Sequence, residues 1–295
     1  MIDLHIHTTY SDGTKSVKEI LKQAEELKLD YISITDHDKC SAYEELKNMD
    51  ISKYYSGKII KGIEVKCFYK GSTIEVLGYK YDCDKMNKWL NEFYANRNRS
   101  VIETKYFNKL YDICEKKNLI MARREDIKWN PQNDWGGKTI YDEIKKHPEN
   151  ESKLPKDLWN DGVQTFSKKY YCNSETEWYL DKSEDLPSVD EAVKAIKNSG
   201  GLVFLPHIYI YKWMKNIEEE LNYIVNNYEI DGIECYHSDF SEQNIKDINE
   251  FCEKNQYLKS GGSDYHGDNK PHIQLAIGRG NLNIPTGIIK DWCDK

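Results

Sequence analysis

Ile2, Leu4 and Ile6 alternate with Asp3, His5 and His7 at the start of the chain. A period of two marks a strand whose two faces differ, so His5 and His7 project to the same side, about 7 Å apart. Ser11-Asp12-Gly13 follows after a short turn. Two imidazoles and a nearby carboxylate are placed to share a metal ion; the plainer reading makes both histidines polar positions on a half-exposed strand. Ser16-Val17-Lys18-Glu19 is a capping box, and Val17, Ile20, Leu21, Ala24 and Leu27 at helical spacing extend a helix to about Lys28. Tyr31 to Thr35 is a short strand running into Asp36-His37-Asp38. A helix over 41–48 leads to a strand over 58–65 with Glu64 near its C-terminal end, and after a Lys70-Gly71 turn comes a strand over 72–79.

From about 84 to 119 the pattern predicts helix, marked by Trp89, Phe93, Ile102, Phe107, Leu110 and Ile113. Residues 120–185 are irregular and broken by Pro131, Gly136, Gly137, Pro148 and Pro155. A stretch of this kind inside a domain reads as an insertion or lid, so 84–185 is expected to be an inserted, mainly helical subdomain that covers the substrate, and 1–83 with 186–295 the main domain. Regular alternation returns with a helix from Val189 ended by Gly200-Gly201, the strand Leu202–Leu205 before Pro206-His207, a helix over 217–227, the strand Gly232–Tyr236 before His237, a helix after Ser241, and Tyr257–Ser260 before Gly262-Ser263-Asp264-Tyr265-His266. Strands alternating with helices suggest parallel β/α units, and polar residues recurring at strand ends suggest a β/α barrel with its site on the C-terminal rim.

Composition narrows the function. The 295 residues carry a formal net charge of −8, which argues against a broad basic surface for duplex nucleic acid but leaves room for a small phosphorylated substrate at a metal-loaded pocket. There are five arginines, Arg97, Arg99, Arg123, Arg124 and Arg279, and these are candidate phosphate partners. The eight cysteines show no CxxC spacing and read as reduced, mostly buried thiols of a cytoplasmic protein. No apolar run approaches the roughly 18–20 residues of a membrane span. Oligomeric state is left open.

Six of the eight histidines, His5, His7, His37, His207, His237 and His266, fall at or just after predicted strand ends. With Asp12, Glu64 and Asp264 they make a nitrogen and oxygen donor set suited to Zn, Mn or Fe, and too large for one tetrahedral ion. Two or three divalent ions fit the count, with a pair bridged by a carboxylate. Such a centre activates water and clamps a phosphoryl group for in-line attack.

His5-x-His7, Ser11-Asp12-Gly13, Thr35-Asp36-His37-Asp38, Gly62-Ile63-Glu64, Pro206-His207 and Gly262-Ser263-Asp264-Tyr265-His266-Gly267 resemble the successive motifs of the polymerase and histidinol phosphatase (PHP) superfamily. Ser11-Asp12-Gly13, the stretch Asp231 to Ser238, Ile277-Gly278-Arg279 and the position of the insertion resemble the branch of ribonuclease AM and the nucleoside 3′,5′-bisphosphate phosphatases. The resemblance implies an α/β fold, a distorted (β/α)7 TIM-like barrel, with a trinuclear centre. One ion would take His5, His7, Glu64 and Asp264, a second Glu64 and His207, and a third Asp12, His37 and His266. Glu75 stands where the family's second ion takes a histidine; a carboxylate there favours Mn or Fe over Zn, or holds the ion weakly. Pro206-His207-Ile208 departs from the usual Ala-His-Pro.

The expected activity is hydrolysis of a phosphate ester of a nucleotide, nucleoside bisphosphate or short oligonucleotide terminus by metal-activated hydroxide. His237 is expected to hold the phosphate or protonate the leaving oxygen, Asp36 and Asp38 to orient His37, and Arg97 and Arg99 to contact the substrate. Trp129, Trp135, Trp159 and Trp178 either stack on a base or form the insertion's own core. The alternatives are a phosphatase for a non-nucleotide metabolite such as histidinol phosphate, and a metal-binding regulatory module whose turnover is lost at Glu75.

Overall fold

The alternating opening forms β1 (Ile2–Ile6), and in the computed structural model, which describes residues 1–293, every residue of it is buried. The half-exposed strand is thus corrected: a parallel strand with both faces covered has no wet side. Asp3 shows why the polar positions survive there, because its carboxylate accepts from the backbone N–H of His5, Ser263 and Ala276 and from the Ser263 hydroxyl.

The capping box at Ser16 is formed as expected and starts α1 (Val17–Glu26), whose buried face is Val17, Ile20, Leu21 and Ala24. β2 (Tyr31–Ile34) pairs in parallel with β1, α2 (Ser41–Lys47) follows, and β3 (Lys58–Ile59) pairs in parallel with β2. The single strand expected over 58–65 is two: β3 stops and β4 (Gly62–Tyr69) begins a second sheet, with Glu64 near its start. The Tyr43 hydroxyl lies at the break, accepting the Gly62 N–H at 2.7 Å within 3.0 Å of the Ile60 carbonyl. Lys70 and Gly71, both at positive φ, turn the chain into β5 (Ser72–Tyr79). After α3 (Cys83–Tyr94), α4 (Arg99–Lys116), α5 (Gly136–Lys145), the short α6 (Lys156–Asn160) and α7 (Gly162–Thr165) and a π-turn over 166–171, α8 (Val189–Asn198) leads to β6 (Leu202–Leu205). Then come α9 (Ile217–Asn227), β7 (Gly232–Tyr236), α10 (Glu242–Asn255) and β8 (Leu258–Gly261).

The sheets have orders β1-β2-β3 and β4-β5-β6-β7-β8. β6, β7 and β8 are parallel, whereas β5 runs antiparallel to β6, so the β/α alternation is interrupted by a hairpin. Isolated parallel bridges join Ile6 to Tyr265 and His37 to Glu64, linking the two sheets at both seams. The class is α/β. Ile2, Leu4, Leu77, Tyr79, Phe204, Ile284 and Trp292 form a core beneath these strands.

The chain divides into two units, one of residues 1–67, 74–90 and 189 onward, the other of 68–73 and 91–188. The second unit has its own core around Phe107, Leu110, Ile140, Ile144, Leu158, Phe166 and Trp178, with Trp159 buried in it and Trp129 and Trp135 packed against it. These four tryptophans therefore serve as core. The helix expected over 84–119 is two helices, because Asn98 takes an extended backbone and its side chain accepts the Val101 N–H as an N-cap. No helix among the described residues is long and apolar enough to cross a membrane, and the cysteines are free thiols, six of them buried.

Candidate metal centre

The strands that start at opposite ends of the sequence deliver their polar residues to one place. β1 carries His5 and leads into His7; the turn that follows carries Asp12 and is fastened by Asp36, which accepts from the Thr8 N–H at 2.8 Å, the Thr8 hydroxyl at 2.6 Å and the Ser11 hydroxyl at 2.5 Å. His37 follows β2 and bridges to Glu64 on β4. His207 follows β6, His237 follows β7, and Asp264 and His266 follow β8. His207 at φ 30° and Asp264 at φ 57° occupy the left-handed region, a strained choice for non-glycine residues that neighbours must hold in place.

Four imidazoles surround one carboxylate. Glu64 Oε2 lies 3.3 Å from His5 Nε2, 3.2 Å from His7 Nε2 and 3.3 Å from His37 Nδ1, and Oε1 lies 2.8 Å from His207 Nε2. Asp264 Oδ1 lies 3.7 Å from His5 Nε2, 3.4 Å from His7 Nε2 and 3.3 Å from His266 Nδ1, while Oδ2 meets His237 Nε2 at 3.4 Å and Lys270 Nζ at 2.6 Å. Asp12 faces His7, His37 and His266 at 3.5, 3.6 and 3.2 Å. Three sets have donor atoms mutually close enough for one ion: His7, Asp12, His37 and His266; His5, His7 and Asp264; and His5, Glu64 and His207.

The fit to divalent ions rests on four ring nitrogens, His5 Nε2, His7 Nε2, His37 Nδ1 and His207 Nδ1, which are buried without a hydrogen-bond partner. A buried polar atom left unpaired is costly, and an imidazole lone pair among carboxylates is the donor that a divalent cation takes.

The electrostatics agree with a site that attracts positive charge. Burial alone would push His7 down, yet Asp264 and Glu64 carry it up to about 9. Burial likewise opposes protonation of His5, which Glu64, Glu234 and Asp264 raise well above the ordinary value, and of His207, which Glu64 raises. His37 goes the other way, to about 4, because burial dominates and His7 and Lys66 repel a second charge. Glu64 and Asp264 stay well below the carboxylate range in spite of burial, held there by the histidines and, for Asp264, Lys270.

The sequence-derived donors His5, His7, Asp12, His37, Glu64, His207, Asp264 and His266 thus meet at one locus, with His237 on its edge. Glu75 lies outside the three sets: its Oε2 is 3.8 Å from His207 Nε2 and accepts from the Tyr211 hydroxyl at 3.2 Å, and its Oε1 is 3.6 Å from Lys66 Nζ. Asp36 fastens the Thr8–Ser11 turn, a different task from the expected orientation of His37, because its oxygens are taken by Thr8 and Ser11. Asp38 accepts the Lys66 N–H at 3.4 Å. Arg97 and Arg99 belong to the second unit, where Arg97 donates to the Glu184 and Phe93 carbonyls and Arg99 to that of Asn133. Sequence reasoning missed Glu234, fully buried against His5, and Lys270 on Asp264. The only signal for Glu234 was an acid between Ile233 and Cys235 in an apolar strand.

Fold and site together define an α/β protein with a cluster of histidines and carboxylates whose donor atoms are placed to hold metal ions. The PHP domain model matches residues 3–146, just under half of the chain. His207, Asp264 and His266 lie beyond the matched segment, and the fold brings them to it. A phosphoribosyl 1,2-cyclic phosphate 1,2-diphosphodiesterase of Eggerthella lenta is 22% identical over 283 residues, covering 93% of this chain and 98% of the relative. A 5′-3′ exoribonuclease of Haemophilus influenzae is 23% identical over 298 residues, covering 98% of this chain and 97% of the relative. Among solved structures, a Bifidobacterium adolescentis protein assigned as a metal-dependent phosphoesterase shares the fold with a TM-score of 0.65 at 21% identity, over 98% of this chain and 94% of that one. An amidohydrolase of Chromobacterium violaceum, solved with bound sulfate, has a TM-score of 0.61 at 19% identity, over 91% of this chain and 88% of that one.

Proposed function

We propose that this protein is a metal-dependent phosphoesterase that hydrolyses a phosphate ester of a nucleotide, a nucleoside bisphosphate or a short oligonucleotide terminus. The observation that carries the reading is the gathering of His5, His7, His37 and His207 around Glu64 with unpaired ring nitrogens buried among carboxylates. Two or three divalent ions, Mn, Fe or Zn, supply water activation and neutralise phosphoryl oxygens when bound. His5, His7 and Asp264 would hold one, His5, Glu64 and His207 a second with Glu75 beside it, and His7, Asp12, His37 and His266 a third.

The remaining work falls to the chain's own groups. His237 Nδ1 accepts the Asp239 N–H at 3.1 Å, which leaves the proton of the neutral ring on Nε2, the atom facing Asp264. That N–H is the donor for a phosphate oxygen or a departing alkoxide. Lys270, half-exposed on Asp264, supplies a fixed positive charge at the same edge. Relatives named for phosphodiester and RNA cleavage, aligned over nearly the whole chain, support the nucleotide class over histidinol phosphate. The same reading takes the two sheets as a distorted (β/α)7 barrel with the centre at its C-terminal rim.

Lys66 favours a second reading, because an ammonium beside Glu75 competes with a cation for that carboxylate and would leave the centre short of an ion. Replacement Glu75→His separates them: the leading reading expects turnover in the natural protein, the second only in the variant. Asp264→Asn in Mn-reconstituted protein is expected to lose both bound metal and hydrolysis of a 5′-phosphorylated oligonucleotide; retention of both would sink the ligand assignment.

A further inference from the structure

We propose that Glu234 is a positioning residue that fixes the tautomer and aim of His5 and the backbone of His207, an inference that rests on the metal-dependent reading above. Glu234 is fully buried on β7, the strand between β6 and β8. Its Oε1 lies 2.9 Å from His5 Nδ1 and its Oε2 accepts the His207 N–H at 2.8 Å. One carboxylate therefore ties together three pieces of chain, β1, β7 and the turn after β6.

Both partners are donors. The His207 backbone offers only an N–H, and a His5 ring that donates from Nδ1 keeps its lone pair on Nε2, the unpaired atom 3.3 Å from Glu64 and 3.7 Å from Asp264. Only an ionised carboxylate presents two acceptors to two donors. A glutamine presents one acceptor and one donor. It either abandons the His207 N–H, whose residue sits strained at φ 30°, or forces the His5 proton onto the nitrogen that faces Glu64 and Asp264. Asp3, a buried acid on β1 itself, has no such choice to make, since its oxygens are taken by Ser263, Ala276 and the His5 backbone.

The effect is confined by the composition of the donor sets. His5 belongs to two of them and His207 to one, while His7, Asp12, His37 and His266 include neither. Loss of Glu234 is thus expected to weaken the His5-dependent ions and leave the four-residue set that contains Asp12 intact.

The test is a titration of metal-free Glu234→Gln and wild type with zinc alone against a chromophoric chelator, with zinc content measured on the same samples. The expected result is one zinc held at wild-type affinity and the His5-dependent zinc weakened about 10–100-fold, the range for groups that orient metal-binding histidines. Glu234→Asp, which keeps two acceptors, is expected to recover part of the loss. Wild-type zinc affinity in Glu234→Gln at every site would overturn the proposal. Should the variants fail to fold, ¹⁵N-histidine NMR of zinc-loaded wild type decides: the proposal requires a His5 proton on Nδ1, and a proton on Nε2 overturns it. Zinc binding as described without hydrolysis of any phosphate ester would count against the proposed activity while leaving the role of Glu234 standing.

Discussion

His7, like His5, belongs to two of the three donor sets, so its protonation reports directly on the centre. Its folded value of about 9 lies above the ordinary 6.5, so its stabilising contribution is complete below 6.5 and is lost as pH rises through 9. His37, lowered to about 4, is neutral in both folded and unfolded chains above pH 7 and adds no opposing slope there. Metal-free protein is therefore expected to melt at progressively lower temperature from pH 7 to 9, while zinc affinity rises over the same interval as the competing protons leave. Calorimetry in the presence of a chelator checks the first, and a flat melting temperature across that range contradicts it. Asp264, which touches three further imidazoles besides His7, is expected to cost more than about 100-fold in metal affinity when replaced by Asn, beyond the range for groups that only orient a ligand. Most of these residues were legible in the sequence, because polar side chains at the ends of apolar strands have few other reasons to be there. Glu234 was not, since its partner His5 lies 229 positions away and nothing local distinguishes a buried acid from a strand-edge one.

Elements were legible where local chemistry decides them and illegible where a distant group does. The Ser16 capping box was readable, and Ser16→Ala is expected to cost about 1 kcal/mol of stability in urea melts without changing metal stoichiometry. The break between β3 and β4 was hidden, because the apolar positions Ile59, Ile60, Ile63 and Val65 run on either side of it. It is made by the Tyr43 hydroxyl of α2, which serves Gly62 and Ile34 from across the sheet edge. Tyr43→Phe leaves a buried Gly62 N–H without its acceptor and is expected to cost about 1–3 kcal/mol, read by the same melts. The division of the helical stretch at Asn98 was likewise masked by apolar spacing that runs on either side of the cap.

For the whole molecule, metal binding and folding are linked, because the imidazoles and carboxylates of the centre come from elements separated by most of the chain. An ion present at about 100 times its dissociation constant stabilises by about 2.7 kcal/mol if it binds only the folded form. Chelation is therefore expected to lower the melting temperature and readdition of Mn to restore it. The short helices between residues 120 and 171 were the least legible features at this scale, since irregular sequence gives no period from which to place them. The central claim is that this chain holds a multinuclear centre that hydrolyses nucleotide phosphate esters. Its most direct test is metal content of the purified protein together with phosphate release from AMP, 3′,5′-bisphosphoadenosine, short 5′-phosphorylated RNA and histidinol phosphate, with and without Mn. The prediction is two or three ions per chain and Mn-dependent release with preference for the nucleotides; fewer than two ions, or no release from any nucleotide in the fully loaded protein, would contradict it.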